Sequence, residues 1–131
     1  MKFLLLLILL LFVNGCATGP QFTVIPENET ITPRSATLDQ QVLGKSVVWG
    51  GVIVNTRNLA DATQIEVLGY PLDSSQRPRL RQPAQGRFLI EKSGYIEAID
   101  YAPDRLITVL GKLQKIQPGK VGEADYQFPL V

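Results

Sequence analysis

From Gly44 onward, β-branched and aromatic residues come in clusters that turn residues interrupt roughly every ten to fifteen positions, a rhythm that predicts short strands rather than helices. Five candidate strands follow: 46–56, 63–72, 87–92, 105–113 and 126–130. In the second, Ile65 and Val67 alternate with Gln64 and Glu66, which puts one face on a core and the other in water. The first and fourth are apolar on both faces, as expected of strands at the centre of a compact barrel or beneath another element. Gly50, Gly51, Gly69 and Gly111 fall inside strand patterns, where glycine permits the bends and bulges that curve a sheet. Residues 55–62 read as the loop between the first two strands. Residues 73–86, with Pro78 and Pro83, read as a longer crossing to the third. The expected fold is all-β: a small, five-stranded, partly open barrel, with a small β-sandwich as the alternative. Ahead of the strands, 37–43 is expected to form a short helical turn. Thr37 would cap it, Leu38, Val42 and Leu43 would share a side, and Gly44 would stop it.

The N-terminus has a different character. Met1 and Lys2 precede an unbroken apolar run from Phe3 to Val13, then Asn14, Gly15 and Cys16, the layout of an exported protein's signal peptide. As a helix, about 11 apolar residues reach roughly 16 Å, against the ~30 Å of hydrocarbon a spanning helix must cross. The tetrapeptide Val13-Asn14-Gly15-Cys16 resembles the bacterial lipobox, although Asn14 is less usual at its place. That resemblance implies cleavage between Gly15 and Cys16 and a diacylglycerol on the Cys16 sulfur. Two or three acyl chains would hold a protein on a bilayer where one would let go. Ala17 rather than an aspartate follows the cysteine, similar to the pattern sorted to the outer membrane. The chain therefore divides into a signal peptide (1–15), a lipidated flexible tether (16–36) and a β domain (37–131). Gly19, Pro20, Pro26 and Pro33 are the reason for reading the tether as extended.

Charge and residue inventory narrow the chemistry. The 131 residues carry 13 Lys and Arg against 12 Asp and Glu, and loss of Lys2 with the leader leaves 12 against 12. A neutral body on an OB-like barrel argues against nucleic acid as a partner, because clustered positive charge supplies most non-specific affinity for it. There is one cysteine and no histidine. This composition rules out an intramolecular disulfide, most zinc sites and imidazole-based nucleophilic catalysis. No catalytic residue, metal ligand or cofactor is expected.

Three groups remain as candidates. Arg77, Arg79 and Arg81 alternate, so an extended chain would present them on one face to phosphates or anionic headgroups. The plainer reading is charge that keeps a sheet edge from pairing. Glu91, Glu97, Asp100 and Asp104 lie close in sequence and raise the alternative of a carboxylate-dependent hydrolase acting on envelope glycan, or else are surface charges. Trp49, Tyr70, Phe88, Tyr95, Tyr101, Tyr126 and Phe128 either form a stacking face, with Trp49 and Tyr95 as binding residues, or pack the core.

Taken in order, Val48-Trp49-Gly50-Gly51-Val52-Ile53, Glu66-Val67, Tyr70-Pro71-Leu72-Asp73, Gly86-Arg87-Phe88-Leu89, Ser93-Gly94-Tyr95 and Leu106-Ile107-Thr108-Val109-Leu110-Gly111 resemble the Slp family of outer-membrane lipoproteins. The resemblance implies a bacterial envelope lipoprotein, expressed on starvation or stress and facing the periplasm, with no enzymatic role to carry over. Its partners would be membrane lipid, through the acylated Cys16, and another envelope component. It also implies chain beyond Phe128-Pro129-Leu130-Val131, so the sequence reads as a short member or as one lacking a C-terminal extension.

Overall fold

The computed structural model describes residues 21–24 and 26–131. Six strands, β1 (Ser46–Asn58), β2 (Ala62–Tyr70), β3 (Arg87–Ser93), β4 (Leu106–Lys112), β5 (Lys115–Val121) and β6 (Ala124–Leu130), form one sheet in the order β4-β1-β2-β3-β6-β5. All pairings are antiparallel except β3 with β6, which meet in parallel at Leu89 and Leu130. The all-β expectation holds. The sheet is open, with β4 and β5 at its edges, although these two strands are consecutive and joined only through Leu113 and Gln114.

The expected count of five strands is corrected to six: β5 lies between the fourth and fifth expected strands, in a stretch that contains Pro118 and Gly119. An edge position explains the proline: Pro118 stands opposite Gln127 of β6 on a strand with no neighbour on its other side, where a missing N–H donor costs no ladder bond. The loop expected over 55–62 is also shorter. β1 and β2 run to the hairpin tip, closed by the Leu59 N–H donating to the Ala62 carbonyl at 2.7 Å.

β1 is long enough to pair with β2 and β4 at once. Its register slips between Ile53 and Asn55, and this bulge reverses the alternation. Val47, Trp49 and Ile53 point into the core before it; Asn55 and Arg57, opposite Glu66 and Gln64, lie on the other face after it. Gly51 is required by close approach, since a Cβ there would stand 1.9 Å from the Leu68 carbonyl oxygen of β2.

The sheet is packed on both faces. Val47, Trp49, Ile53, Ile65, Val67, Phe88 and Ile90 build the larger core, where the Trp49 and Phe88 rings meet edge-on with centroids 5.1 Å apart. Leu89, which alternates with Phe88 and Ile90, points to the opposite face and packs with Phe128 and Leu130 beside Val121 and Tyr126.

The segment ahead of β1 departs from the tether expected over 16–36. Ile31, Pro33 and Ala36 are buried, and the Asn28 amide donates to the Ser46 carbonyl at 2.8 Å. Pro33–Ala36 forms a single turn, α1, closed by a reciprocal capping box. The Ser35 N–H donates to Thr32 Oγ1 at 3.1 Å and the Thr32 N–H to Ser35 Oγ at 2.9 Å. Proline at the first helical position loses a donor that has no partner there in any case. The tether reading fails here because Ile31 and Ala36 complete the core, which outweighs the extended tendency of the prolines. The helical turn expected over 37–43 also shifts. Thr37 ends α1, and a separate 3₁₀ turn, Gln40–Val42, is capped by Asp39. Val42 is buried as expected, whereas Leu38 is 85% exposed. Gly44 closes the segment at φ +87°, a conformation that favours glycine.

Candidate functional site

A groove of about 430 Å³ opens on the face opposite the larger core, between the outer side of β1 and β2 and the β5–β6 hairpin. One wall carries Asn55, Arg57, Gln64 and Glu66, the other Gln117, Gly119 and Lys120, with Leu89 and Phe128 between them. Strand register sets the polar wall. Arg57, Gln64 and Glu91 stand opposite one another across three strands; Arg57 Nη2 donates to Gln64 Oε1 at 2.8 Å and Gln64 Nε2 reaches Glu91 Oε2 at 3.5 Å. Gln64 is 4% exposed, so these bonds replace the water it has lost. One row along, Glu66 holds Arg87 in an ion pair at 3.1 Å. On the far wall Lys120 pairs with Asp125 at 2.6 Å, and Gly119 lies against the Phe128 ring, where a Cβ would come within 2.8 Å. The groove thus offers amides and paired charges around an apolar strip, a lining suited to a polar ligand of little net charge.

A second cavity, about 580 Å³, lies where residues 21–24 cross the ends of β1 and β2, beside Trp49, Gly50, Tyr70, Leu72 and Gln76. Its carboxylates are Glu29 and Asp73. Asp73 Oδ1 accepts the N–H groups of Ser75 and Arg77, a turn-forming arrangement.

The residues singled out by sequence do not converge. Trp49 is corrected from binding residue to core. It is 5% exposed, its ring lies on Phe88, and its indole N–H donates to the Ile31 carbonyl at 2.7 Å, so it only borders the second cavity. Phe88 and Phe128 are buried in different clusters, Tyr101 packs on the larger core, and the Tyr126 hydroxyl accepts the Arg87 N–H at 2.8 Å. No common aromatic face results. Tyr95 is 69% exposed and its hydroxyl donates to Glu97 Oε2 at 3.2 Å. That hydrogen bond, and then the negative charge of Glu97, push the phenol above its ordinary pKa.

Arg77, Arg79 and Arg81 are exposed, but the extended stretch that would align them is broken. Gln76 sits at φ +59°, and turns close from the Gln76 N–H to the Asp73 carbonyl and from the Gln82 N–H to the Arg79 carbonyl. None of the three forms a salt bridge among the described residues. Glu91, Glu97, Asp100 and Asp104 are exposed and line neither cavity. Among the described residues, no group of three or more Asp, Glu, His or Cys is placed to hold a metal ion, and no helix is long and apolar enough to cross a membrane. Gly15 and Cys16 lie outside the described residues.

Sequence reasoning missed Arg57, Gln64, Glu66, Gln117 and Lys120. The Gln64–Glu66 alternation marked a solvent face. Only the β1 bulge and the β5 pairing turn that face into one wall of a groove.

A single curved sheet with a polar groove and a packed N-terminal segment defines a small all-β module. The chain belongs to the outer membrane lipoprotein Slp family, whose family model matches residues 13–131, and it is an outer-membrane lipoprotein on that basis. Among similar curated proteins, an Escherichia coli K12 protein described as uncharacterized lipoprotein YeaY is 30% identical over 122 residues, covering 90% of this chain and 62% of the relative. An uncharacterized protein of Haemophilus influenzae is 42% identical over 88 residues, covering 66% and 48%. The outer membrane protein Slp of Escherichia coli K12 is 33% identical over 86 residues, covering 66% and 45%. The chain therefore spans between about half and three fifths of these relatives' lengths. No solved structure matches it.

Proposed function

We propose that this protein is a non-enzymatic module of the bacterial envelope, held on the outer membrane by lipid on Cys16, facing the periplasm and serving starved or stressed cells. In this reading, cleavage falls between Gly15 and Cys16, and the groove beside Arg57 and Gln64 binds an envelope component. The observation that carries it is the position of the only cysteine, directly behind Val13-Asn14-Gly15, where the family match begins. In a sequence with no second cysteine and no histidine, the thiol has lipidation as its one well-motivated use. The groove supports binding rather than hydrolysis, because its one carboxylate, Glu66, is ion-paired to Arg87.

The test is fractionation of cells expressing the full chain. The wild type should sediment with membranes and resist high-salt washing, whereas Cys16→Ala should move to the soluble fraction or remain as uncleaved precursor without incorporating labelled fatty acid. A Cys16→Ala protein that is processed to mature size and stays on salt-washed membranes would refute the anchor.

A further inference from the structure

We infer that the crossing between β2 and β3 lies against the bilayer that holds the anchor, with Arg77, Arg79 and Arg81 on anionic phospholipid headgroups and the β1–β2 tip pointing away. The inference rests on Cys16 as the lipid site and adds to it the surface that meets the membrane.

Its basis is where the N-terminal segment leaves the body. Gln21 Nε2 donates to the Ser74 carbonyl at 3.0 Å, the Phe22 N–H to Gln76 Oε1 at 2.8 Å, and Gln76 Nε2 back to the Phe22 carbonyl at 2.7 Å. The crossing is itself fastened to the sheet, since Thr108 Oγ1 donates to the Gln76 carbonyl at 2.8 Å. Four residues separate Cys16 from Gln21, and even fully stretched the five Cα-to-Cα steps between them reach only about 18 Å. β2 alone, from the hairpin tip at Ala62 to Tyr70 beside the crossing, spans roughly 27 Å. A lipid on Cys16 therefore holds the crossing's end of the sheet within about 18 Å of the bilayer, whereas the tip, roughly 27 Å along β2, is not held there.

The surface brought there has the chemistry of a headgroup contact. Residues 71–86 contain three arginines and one carboxylate, Asp73, whose Oδ1 already accepts two backbone N–H groups. Arg34 joins the arginines from α1, its guanidinium donating to the Ala84 carbonyl at 3.3 Å. Glu29 shares the second cavity with Asp73 beside the crossing, so four arginines face two carboxylates at this end, while Glu66, next in sequence, is paired with Arg87 on the outer face. Leu80, between Arg79 and Arg81, is 49% exposed, and Phe22 is 44% exposed. Basic residues flanking exposed apolar ones suit an anionic interface, where arginine meets phosphate and the apolar side chain sits among the upper methylenes. At the other end, Ile99 is 74% exposed in the segment that follows the Gly94–Asp61 contact with the hairpin tip, but Glu97, Asp100 and Asp104 are exposed in the same segment, which disfavours an anionic surface.

The test uses the lipidated full-length protein added to preformed vesicles of phosphatidylcholine and phosphatidylglycerol, with or without brominated acyl chains. Leu80→Trp and Ile99→Trp serve as reporters, each keeping buried Trp49 as a constant background. Leu80→Trp should be quenched by brominated lipid and Ile99→Trp should not. Adding Arg77→Glu, Arg79→Glu and Arg81→Glu should lower the Leu80→Trp quenching to the Ile99→Trp level while the protein still sediments with vesicles through its lipid. Sedimentation without quenching at Leu80→Trp, or stronger quenching at Ile99→Trp, would overturn the orientation alone. Failure of the acylated wild type to sediment would overturn the anchor, and the orientation with it.

Discussion

Gly51 shows how narrow the tolerance is at single positions. Its Cα faces the Leu68 carbonyl of β2 so closely that any side chain must push the β1–β2 ladder apart, and backbone cannot move aside as a flexible side chain does. Gly51→Ala is therefore expected to cost about 3 kcal/mol or more. For a domain of this size that lowers the melting temperature by on the order of 15 °C, which thermal unfolding followed by circular dichroism would measure. That Gly51 matters was readable as a glycine inside a strand pattern; the carbonyl it makes room for was not, because Leu68 is distant in sequence. Trp49 is the opposite case. Its chemistry suited a binding face as well as a core, and the Ile31 carbonyl that satisfies its indole N–H comes from a segment expected to be a tether.

Among the elements, the segment before β1 changed most between sequence and structure. Its prolines argued for extension, yet Ile31 is 9% exposed within the larger core and Pro33 and Ala36 are buried beside it. Ile31→Ala should accordingly destabilise the domain by about 2–4 kcal/mol, the cost of a buried large-to-small change; for a true tether the denaturant midpoint would not move. β2 was legible because its alternation survives in the structure, with Ile65 and Val67 inside and Glu66 on the outer face. β5 was not, because an edge strand tolerates a proline and needs no continuous apolar side.

At the level of the whole molecule, the two packing clusters are joined mainly through β3, whose Phe88 and Ile90 serve one face and Leu89 the other. The parallel contact of β3 with β6 is short, with Leu89 opposite Leu130 and the Leu89 carbonyl accepting the Val131 N–H at 2.9 Å. Leu89→Ala should therefore loosen the β5–β6 hairpin selectively. In native-state hydrogen exchange, amides of β5 and β6 are expected to lose protection while those of β1 and β2 keep theirs; equal loss throughout would mean that the sheet opens as one unit. The sequence alone determined the all-β class and the boundaries of β1 to β3 to within a few residues, because strand periodicity is a local property of the chain. Tertiary structure decided the sixth strand, the burial of Ile31 and Trp49, the dispersal of the candidate carboxylates and aromatics, and the groove beside Arg57 and Gln64. Each of these depends on register and curvature, which bring together residues that no local pattern connects.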